Sequence, residues 1–351
     1  MHAPIAHILA LTIIRRERLL NTGGRIIARR GQVVRPLDVV AEAKIRPEHL
    51  LLDIGRGLGL EPKEADLHIQ RRAGDEVGEG DVIAGPVGIG RRVVRAPRPG
   101  VVVVAGVGQV LLELEGEFSE LKAGYAGVVT DIVEERGVVI EAAGALVQGV
   151  WGNGKIGLGG LKILLGTAEE LARLDKIEAG WGDTVVVAGY CEDENVLRSA
   201  EQLPVKGMIL AGMDSSLVRV ALAVDYPILL VEGFGNLPMN QEAFKIFNAS
   251  ATQEATVNAE PWDRIANRRP EVVITIPEGS NLEAPTELAY FAIGQTVRVT
   301  SPPYKSKTGT LTNLARGFTL LPSGLRAQIA EVRFLSGESV KIPLSNLEII
   351  G

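Results

Sequence analysis

The sequence predicts a multidomain α+β protein in three successive parts: a duplicated β domain, a parallel α/β domain and a small β barrel. Three observations predict it. First, Gly31-Gln32-Val33-Val34-Arg35-Pro36-Leu37-Asp38-Val39-Val40-Ala41 recurs as Gly74-Asp75-Glu76-Val77-Gly78-Glu79-Gly80-Asp81-Val82-Ile83-Ala84. Recurrence of one short unit marks internal duplication. Second, from about residue 157 to 278 short apolar runs alternate with helical patterns, the signature of crossover-connected strands. Third, five short strand signals follow residue 290, which suits a small closed barrel.

Composition bounds the reading. A chain of 351 residues accommodates two or three domains. Apolar residues make up 46%, aromatics only 4%, and there are 41 glycines, so cores are filled by Val, Ile, Leu and Ala. A net charge of -6 excludes recruitment of nucleic acid or membrane by bulk positive charge. The single cysteine, Cys191, excludes an internal disulfide, a cysteine metal cage and an iron–sulfur cluster. It fits a reducing, cytoplasmic compartment. The apolar segment 3–14 has no basic n-region or small-residue cleavage site and runs into Arg15-Arg16-Glu17-Arg18. It is shorter than the ~18 residues a bilayer span needs, so it is expected as a strand or helix of the first domain.

In the first domain, residues 1–150, each repeat sets a Gly turn before a Val and an Asp turn before a β-branched run. That is strand, tight turn, strand. Between the copies, Leu51, Leu52, Ile54 and Leu58 have near-helical spacing and predict an inserted helix over 47–63. A looser repeat follows: Ala96-Pro97-Arg98-Pro99-Gly100-Val101-Val102 is echoed by Ala123-Gly124-Tyr125-Ala126-Gly127-Val128-Val129. Each leads to a Gly and then a strand ending in Glu113 or Glu141. The run GDEVGEGDVIA followed by VRAPRPGVVV resembles the biotinyl/lipoyl-type hammerhead over about residues 25–142. A component of the Rnf redox complex carries the same barrel-sandwich hybrid. Carrier members of that family present a modifiable Lys, usually flanked by Met, at a hairpin tip. Here Lys44 and Lys63 lie between the two turn motifs, neither beside a Met, and the next lysine is Lys122. A structural or binding barrel without attached biotin or lipoyl is therefore expected.

In the middle domain, residues 151–285, a phosphate-loop pattern comes first. Gly149-Val150-Trp151-Gly152-Asn153-Gly154-Lys155 satisfies G-x-x-x-x-G-K, but position 156 is Ile where the metal-binding Ser or Thr belongs. Three further glycines stand where a helix would have to start. The segment reads as a glycine-rich crossing between domains. Thr167, with Glu170 three residues on and Gly180 beyond, predicts a capped helix. Strands are expected at 183–188, 207–211, 227–231 and 271–276, with helices at 193–203, after Asp214, and at 240–249.

Ligands of such sheets sit beyond the carboxyl ends of the strands. That rule selects Gly212, Asp214, Ser215, Glu232, Gly233 and Asn236 as candidate ligand-binding residues. Their carboxylates suit a divalent ion or a sugar hydroxyl. The same residues also read as plain βα turns with Asp214 as an N-cap. The element order, with GMILAG and YPILLVEGFG, is similar to swivelling phosphohistidine domains. All four histidines (His2, His7, His49, His68) lie in the first domain, so that resemblance implies the fold alone. The same gap removes Ser–His and Cys–His pairs, and no G-x-S-x-G elbow occurs. Cys191, at a strand end without a nearby base, reads as a structural thiol.

The last domain, residues 290–351, has strand signals at 293–299, 304–311 and 330–334, a turn at Gly337, and strands at 340–342 and 343–350. A Gly before Val297-Arg298-Val299, then Gly309 after a gap, resembles the KOW pattern of ribosomal proteins and transcription elongation factors. The resemblance implies an SH3-like barrel. From residue 293 seven Lys and Arg face three Glu, a local balance of +4 on an acidic body. Such a surface steers toward phosphate or an acidic partner. Arg298, Tyr304, Lys305 and Lys307 are the candidate contacts, with Tyr304 as a stacking ring. A solvated hairpin on a protein-binding barrel is the other reading.

The expected function is a non-enzymatic cytoplasmic adaptor for a protein or ribonucleoprotein partner, with no cofactor, metal or membrane contact. One alternative is an enzyme or small-ligand-binding protein with its site at the middle strand ends. Another is an accessory subunit of a redox complex, which follows from the Rnf resemblance alone.

Overall fold

The computed structural model describes residues 3–44, 48–114, 118–168, 170, 178–263, 268–276, 282, 284–285, 289–321 and 323–351. The protein is mostly β, with several sheets and short helices. It divides into two compact units. One comprises Met1–Leu19, Ala28–Val40 and Lys122–Gly351; the other comprises Leu20–Ile27 and Ala41–Leu121.

These units cut across the expected segments 1–150, 151–285 and 290–351. The strand Gly137–Gln148 pairs with Ile8–Leu19 on one side and with Glu271–Thr275 on the other, so residue 150 is no boundary. The apolar run after Ala3 also divides. Ile5–Ala6 pairs in parallel with Leu347–Ile350 of the C-terminal sheet, and Ile8–Leu19 enters the large one. Periodicity reveals a strand but not its neighbours.

In the first unit, Ile156–Ile163, Thr184–Cys191, Gly207–Met213 and Ile228–Phe234 lie parallel and adjacent in chain order. Alternate residues fill two cores. Val185, Val187, Ile209 and Leu229 pack with Ala243, Ile246 and Phe247 of the helix Gln241–Ala249. Val186, Met208, Leu210 and Leu230 pack with Val196, Leu197 and Ala200 of the helix Glu194–Gln202. Burial on both faces is why these strands read as unbroken apolar runs. Asp193 and Asn240 cap the two helices through their side chains. For the helix expected from Thr167, the Glu170 carboxylate accepts from the Gly166 N–H at 2.7 Å and the Thr167 N–H at 3.4 Å. Its continuation, 171–177, lies outside the described residues.

The glycine-rich crossing is a strand, Ile156–Ile163. A Cβ at Gly157 would stand 2.0 Å from the Lys206 carbonyl oxygen, and one at Gly152 2.3 Å from that of Ala259. The glycines admit neighbouring backbone. Asn153 donates to the Ala221 and Tyr226 carbonyls at 2.9 Å each and accepts from the Ile228 N–H at 3.0 Å. Lys155 hydrogen-bonds the Val224 carbonyl. The phosphate-loop lookalike is a tied sheet edge.

The C-terminal sheet runs Ile5–Ala6, Leu347–Ile350, Thr296–Val299, Thr308–Leu314, Ile329–Phe334, Ser339–Pro343. Its core contains Ile5, Val297, Val299, Leu311, Val332, Phe334, Leu347 and Ile349.

The sequence repeat is also a structural one. Ile8–Leu19, Gly137–Gln148, Gly127–Val133 and Val33–Val34 lie side by side in the first unit. His49–Asp53, Gln109–Leu114, Gly100–Gly106 and Glu76–Val77 do the same in the second. Registers correspond. Arg15, Glu141, Val128 and Val33 form one cross-strand row, and His49, Glu113, Val101 and Glu76 form its counterpart. Each central hairpin bulges at the same step, between Val129 and Asp131 and between Val102 and Val104. Gly31 and Gly74 have φ of 81° and 93°, and their N–H groups donate to Val129 and Val102 at 2.7 Å in both copies. Asp38 and Asp81 each accept from the N–H three residues back, at 2.8 and 3.1 Å. In sequence, the second copy lies wholly between the second and third strands of the first.

The helix expected over 47–63 is shorter. Leu51 and Leu52 belong to the strand His49–Asp53, and the helix is Ile54–Leu58, capped by Asp53 and ended by Gly59 at φ 74°. Three consecutive leucines fit either period, and pairing with Gln109–Leu114 decided.

Candidate functional site

Two places were singled out by the sequence, the crest of the parallel sheet and the basic C-terminal sheet. At the crest, Gly212 and Gly233 are buried. A Cβ on Gly212 would fall 2.1 Å from the Gly235 carbonyl oxygen. The close approach that a glycine permits is thus made by the chain's own loop, where Gly233 and Gly235 have φ of 112° and 113°. Asp214 caps the turn Ser215–Leu217, accepting from the Ser216 N–H at 2.9 Å and the Ser216 hydroxyl at 2.7 Å. The Tyr190 hydroxyl donates to its other oxygen at 3.2 Å. The bonds from Ser216, helped by Tyr190, hold the Asp214 carboxyl below its ordinary range. Ser215 and Asn236 are exposed.

Glu232 and Arg298, assigned from sequence to two different sites, are partners. The Arg298 guanidinium donates to Glu232 at 3.1 Å, to Glu348 at 2.6 Å and to the Val231 carbonyl at 3.2 Å. Arg269 binds the other oxygen of Glu348. The side chains of Arg298, Glu232 and Glu348 are 3%, 0% and 5% exposed. Arg298 is therefore not presented to a phosphate, and Glu232 is not open to a ligand: each neutralises the other. Burial pushes the Glu232 carboxyl up, with Arg298 and Ser306 only partly opposing it. Burial acts the same way on Glu348, but Arg298 and Arg269 outweigh it and hold that carboxyl low.

The remaining C-terminal candidates are also engaged within the chain. Lys305 donates to the Phe234 carbonyl at 3.3 Å. The Tyr304 ring lies 5.4 Å from that of Phe334, its hydroxyl bonds Glu338 at 3.2 Å, and the Lys307 ammonium sits 5.3 Å from its centroid. Cys191 is fully buried, its thiol 3.7 Å from the Asp193 carbonyl oxygen.

Two further carboxylates, the buried Glu271 and the partly exposed Glu260, are paired with arginines. Arg16 clasps Glu271 with two bonds of 2.9 Å, and Arg18 clasps Glu260 with two bonds. Burial would raise both carboxyls, but the arginines outweigh it and lower them. Groups with lowered folded values contribute stability above the unfolded value and lose it as pH falls through the folded one. Glu260, Glu271 and Glu348 share that sign, and Glu232 has the opposite one. Thermal melts from about pH 7 to about pH 3 are expected to show the midpoint falling steadily below about pH 4.5. A midpoint that holds steady to about pH 3 would contradict these pairings.

Sequence reasoning missed one surface. From residue 288 to 330 the chain has no Asp or Glu and five cations, Arg298, Lys305, Lys307, Arg316 and Arg326. Between Thr308–Leu314 and Ile329–Phe334 an arm extends, in which Thr319–Leu320 pairs with Arg326–Ala327. Phe318, Leu320 and Leu325 are 72%, 65% and 68% exposed, and Leu320 lies directly opposite Arg326. Arg316 and Arg326 are exposed as well. The acid-free run, with Phe318 among several leucines, was the available signal.

A depression of about 400 Å³, lined by Leu158, Gln253, Glu254, Thr256, Thr275 and Ile276 among others, contains none of the singled-out residues. Among the described residues, no three His, Cys, Asp or Glu side chains are grouped to hold a metal ion, and no helix is long and apolar enough to cross a membrane. Compared with known proteins, the chain matches no family model and no curated protein sequence. Its class is that of a β-rich protein of several sheets.

Proposed function

We propose that the chain is a non-enzymatic adaptor that holds an anionic macromolecule, foremost a ribonucleoprotein, on the arm of its C-terminal barrel. The observation that carries this reading is the exposure of Phe318, Leu320 and Leu325 beside Arg316 and Arg326 in an acid-free stretch. Arginines neutralise phosphates and release their counterions, while bases stack on an aromatic face. Large apolar side chains in water are unfavourable until a partner covers them. The crest supports the same reading, because Glu232 and Gly212 are occupied by Arg298 and the Gly235 backbone. In this reading the duplicated β segment is a barrel-sandwich hybrid without a carrier lysine, the C-terminal sheet is a KOW/SH3-like barrel, and the compartment is the cytoplasm.

Anisotropy of a labelled oligouridylate of about twenty nucleotides, titrated with the full chain at several salt concentrations, tests it. Phe318→Ala is expected to weaken binding by about 5- to 150-fold. Removing Arg316 or Arg326 is expected to lower the salt slope by about 1 each. Absence of binding at low salt, or indifference to Phe318→Ala, would overturn the proposal.

A further inference from the structure

The duplication provides an internal control for the outer face of the second unit's sheet. Leu51, Leu111 and Val104 stand directly opposite one another across three strands. Leu51 is 55% exposed, Val104 56% and the bulge residue Val103 37%. At the corresponding register the first copy carries Glu17, Val139 and Asp131, with Thr130 at its bulge. The turns differ in the same sense. Val107 is 80% exposed at φ 55°, whereas the first copy's turn is Glu134-Glu135-Arg136 with Glu135 at φ 57°.

One backbone built twice thus bears carboxylates in one copy and aliphatics in the other. The fold does not require Leu51 or Val104, because charged residues serve the same positions, and the first copy's turn, one residue longer, is charged where Val107 is aliphatic. A β-branched residue in left-handed backbone is strained, and Val107 gains no burial in return. Something outside the fold accounts for these side chains.

The rim gives that something its charge. Strand alternation sets Asp53, Glu113 and Glu76 on the same face as the aliphatic row. At the turn, Asp66 accepts from the Val107 N–H at 3.1 Å and the Gly108 N–H at 2.7 Å. Among the described residues, Arg98 is bound by Glu48, and His49 lies 3.9 Å from Glu113. Pairing this face with a second copy of itself would set carboxylates against carboxylates.

We propose that this face docks a protein segment that is aliphatic at its centre and carries Lys or Arg at its margins. It is a second contact surface beyond the anion-binding arm, for a partner of opposite charge.

The test uses the full chain and a labelled peptide with a central Val-Leu-Val-Leu flanked by lysines. The triple variant Leu51→Glu, Val104→Asp, Val107→Glu installs carboxylates like those the first copy carries, so its melting temperature is expected to stay near wild type. Its peptide affinity is expected to fall at least about tenfold. Replacing the flanking lysines by serine is expected to weaken binding to the wild type, and Glu76→Lys with Glu113→Lys to favour a Glu-flanked peptide instead. Equal binding by wild type and triple variant, or no binding of the lysine peptide, would overturn the proposal. So would a dimer of the wild type that the triple variant abolishes. Oligouridylate binding by the triple variant is expected to be unchanged, which separates this surface from the arm.

Discussion

Arg298→Ala is expected to cost about 3–5 kcal/mol of folding stability, measured by urea unfolding of the full chain. The cost comes less from the lost bonds than from what they leave behind. Glu232 and the Arg298-facing oxygen of Glu348 would remain buried with their countercharge gone. Combining Arg298→Met with Glu232→Gln removes one charge of each sign and leaves Arg269 opposite Glu348. A substantial part of the stability is expected to return in that double variant, since a buried pair replaced by neutral side chains is often close to neutral. A loss of less than about 1 kcal/mol on Arg298→Ala would mean that water or a ligand reaches Glu232. The crest would then regain its claim as a binding site.

Gly212→Ala is the second large effect. The added methyl would lie 2.1 Å from the Gly235 carbonyl oxygen in a buried place, so backbone must move. Overpacking of this kind costs about 1–3 kcal/mol. Gly90→Ala is the matched control, because a Cβ there meets nothing within 4 Å. Unfolding curves that overlay for wild type and Gly212→Ala would show that the loop is loosely seated, leaving room at Gly212 for something other than the chain.

In the middle of the chain the strands from Thr184, Gly207 and Ile228 and the helices after them are legible in sequence, whereas Ile156–Ile163 read as a crossing and Glu254–Asn258 was not expected. Asp193, Asp214 and Asn240 cap where their residue types predict, and the apolar runs before them are strands buried on both faces. Caps and alternation are local chemistry, and local chemistry is written in neighbouring residues. The duplication is legible for the same reason: Gly31 and Gly74 need left-handed backbone, and Asp38 and Asp81 hold their turns through bonds three residues long.

The site residues fared differently. Val297-Arg298-Val299 shows that Arg298 faces away from the core of its sheet, but not what covers that face. Glu232 and Glu348 cover it, from positions 66 and 50 residues away in the chain. An arginine poised for phosphate and one neutralised in the interior have the same neighbours in sequence, because desolvation and pairing depend on distant groups. Likewise, Leu51 and Leu52 fit a helical period by themselves, and it is the strand Gln109–Leu114 that claims them for a sheet.

Turns, caps, strand alternation and the repeat were thus fixed by short-range sterics and hydrogen bonding, which the order of residues alone dictates. Which strands became neighbours, which charges were neutralised and which apolar side chains were left in water followed from the folded chain. Those outcomes are set by burial and by Coulomb interactions between residues far apart in sequence, and no local pattern encodes them.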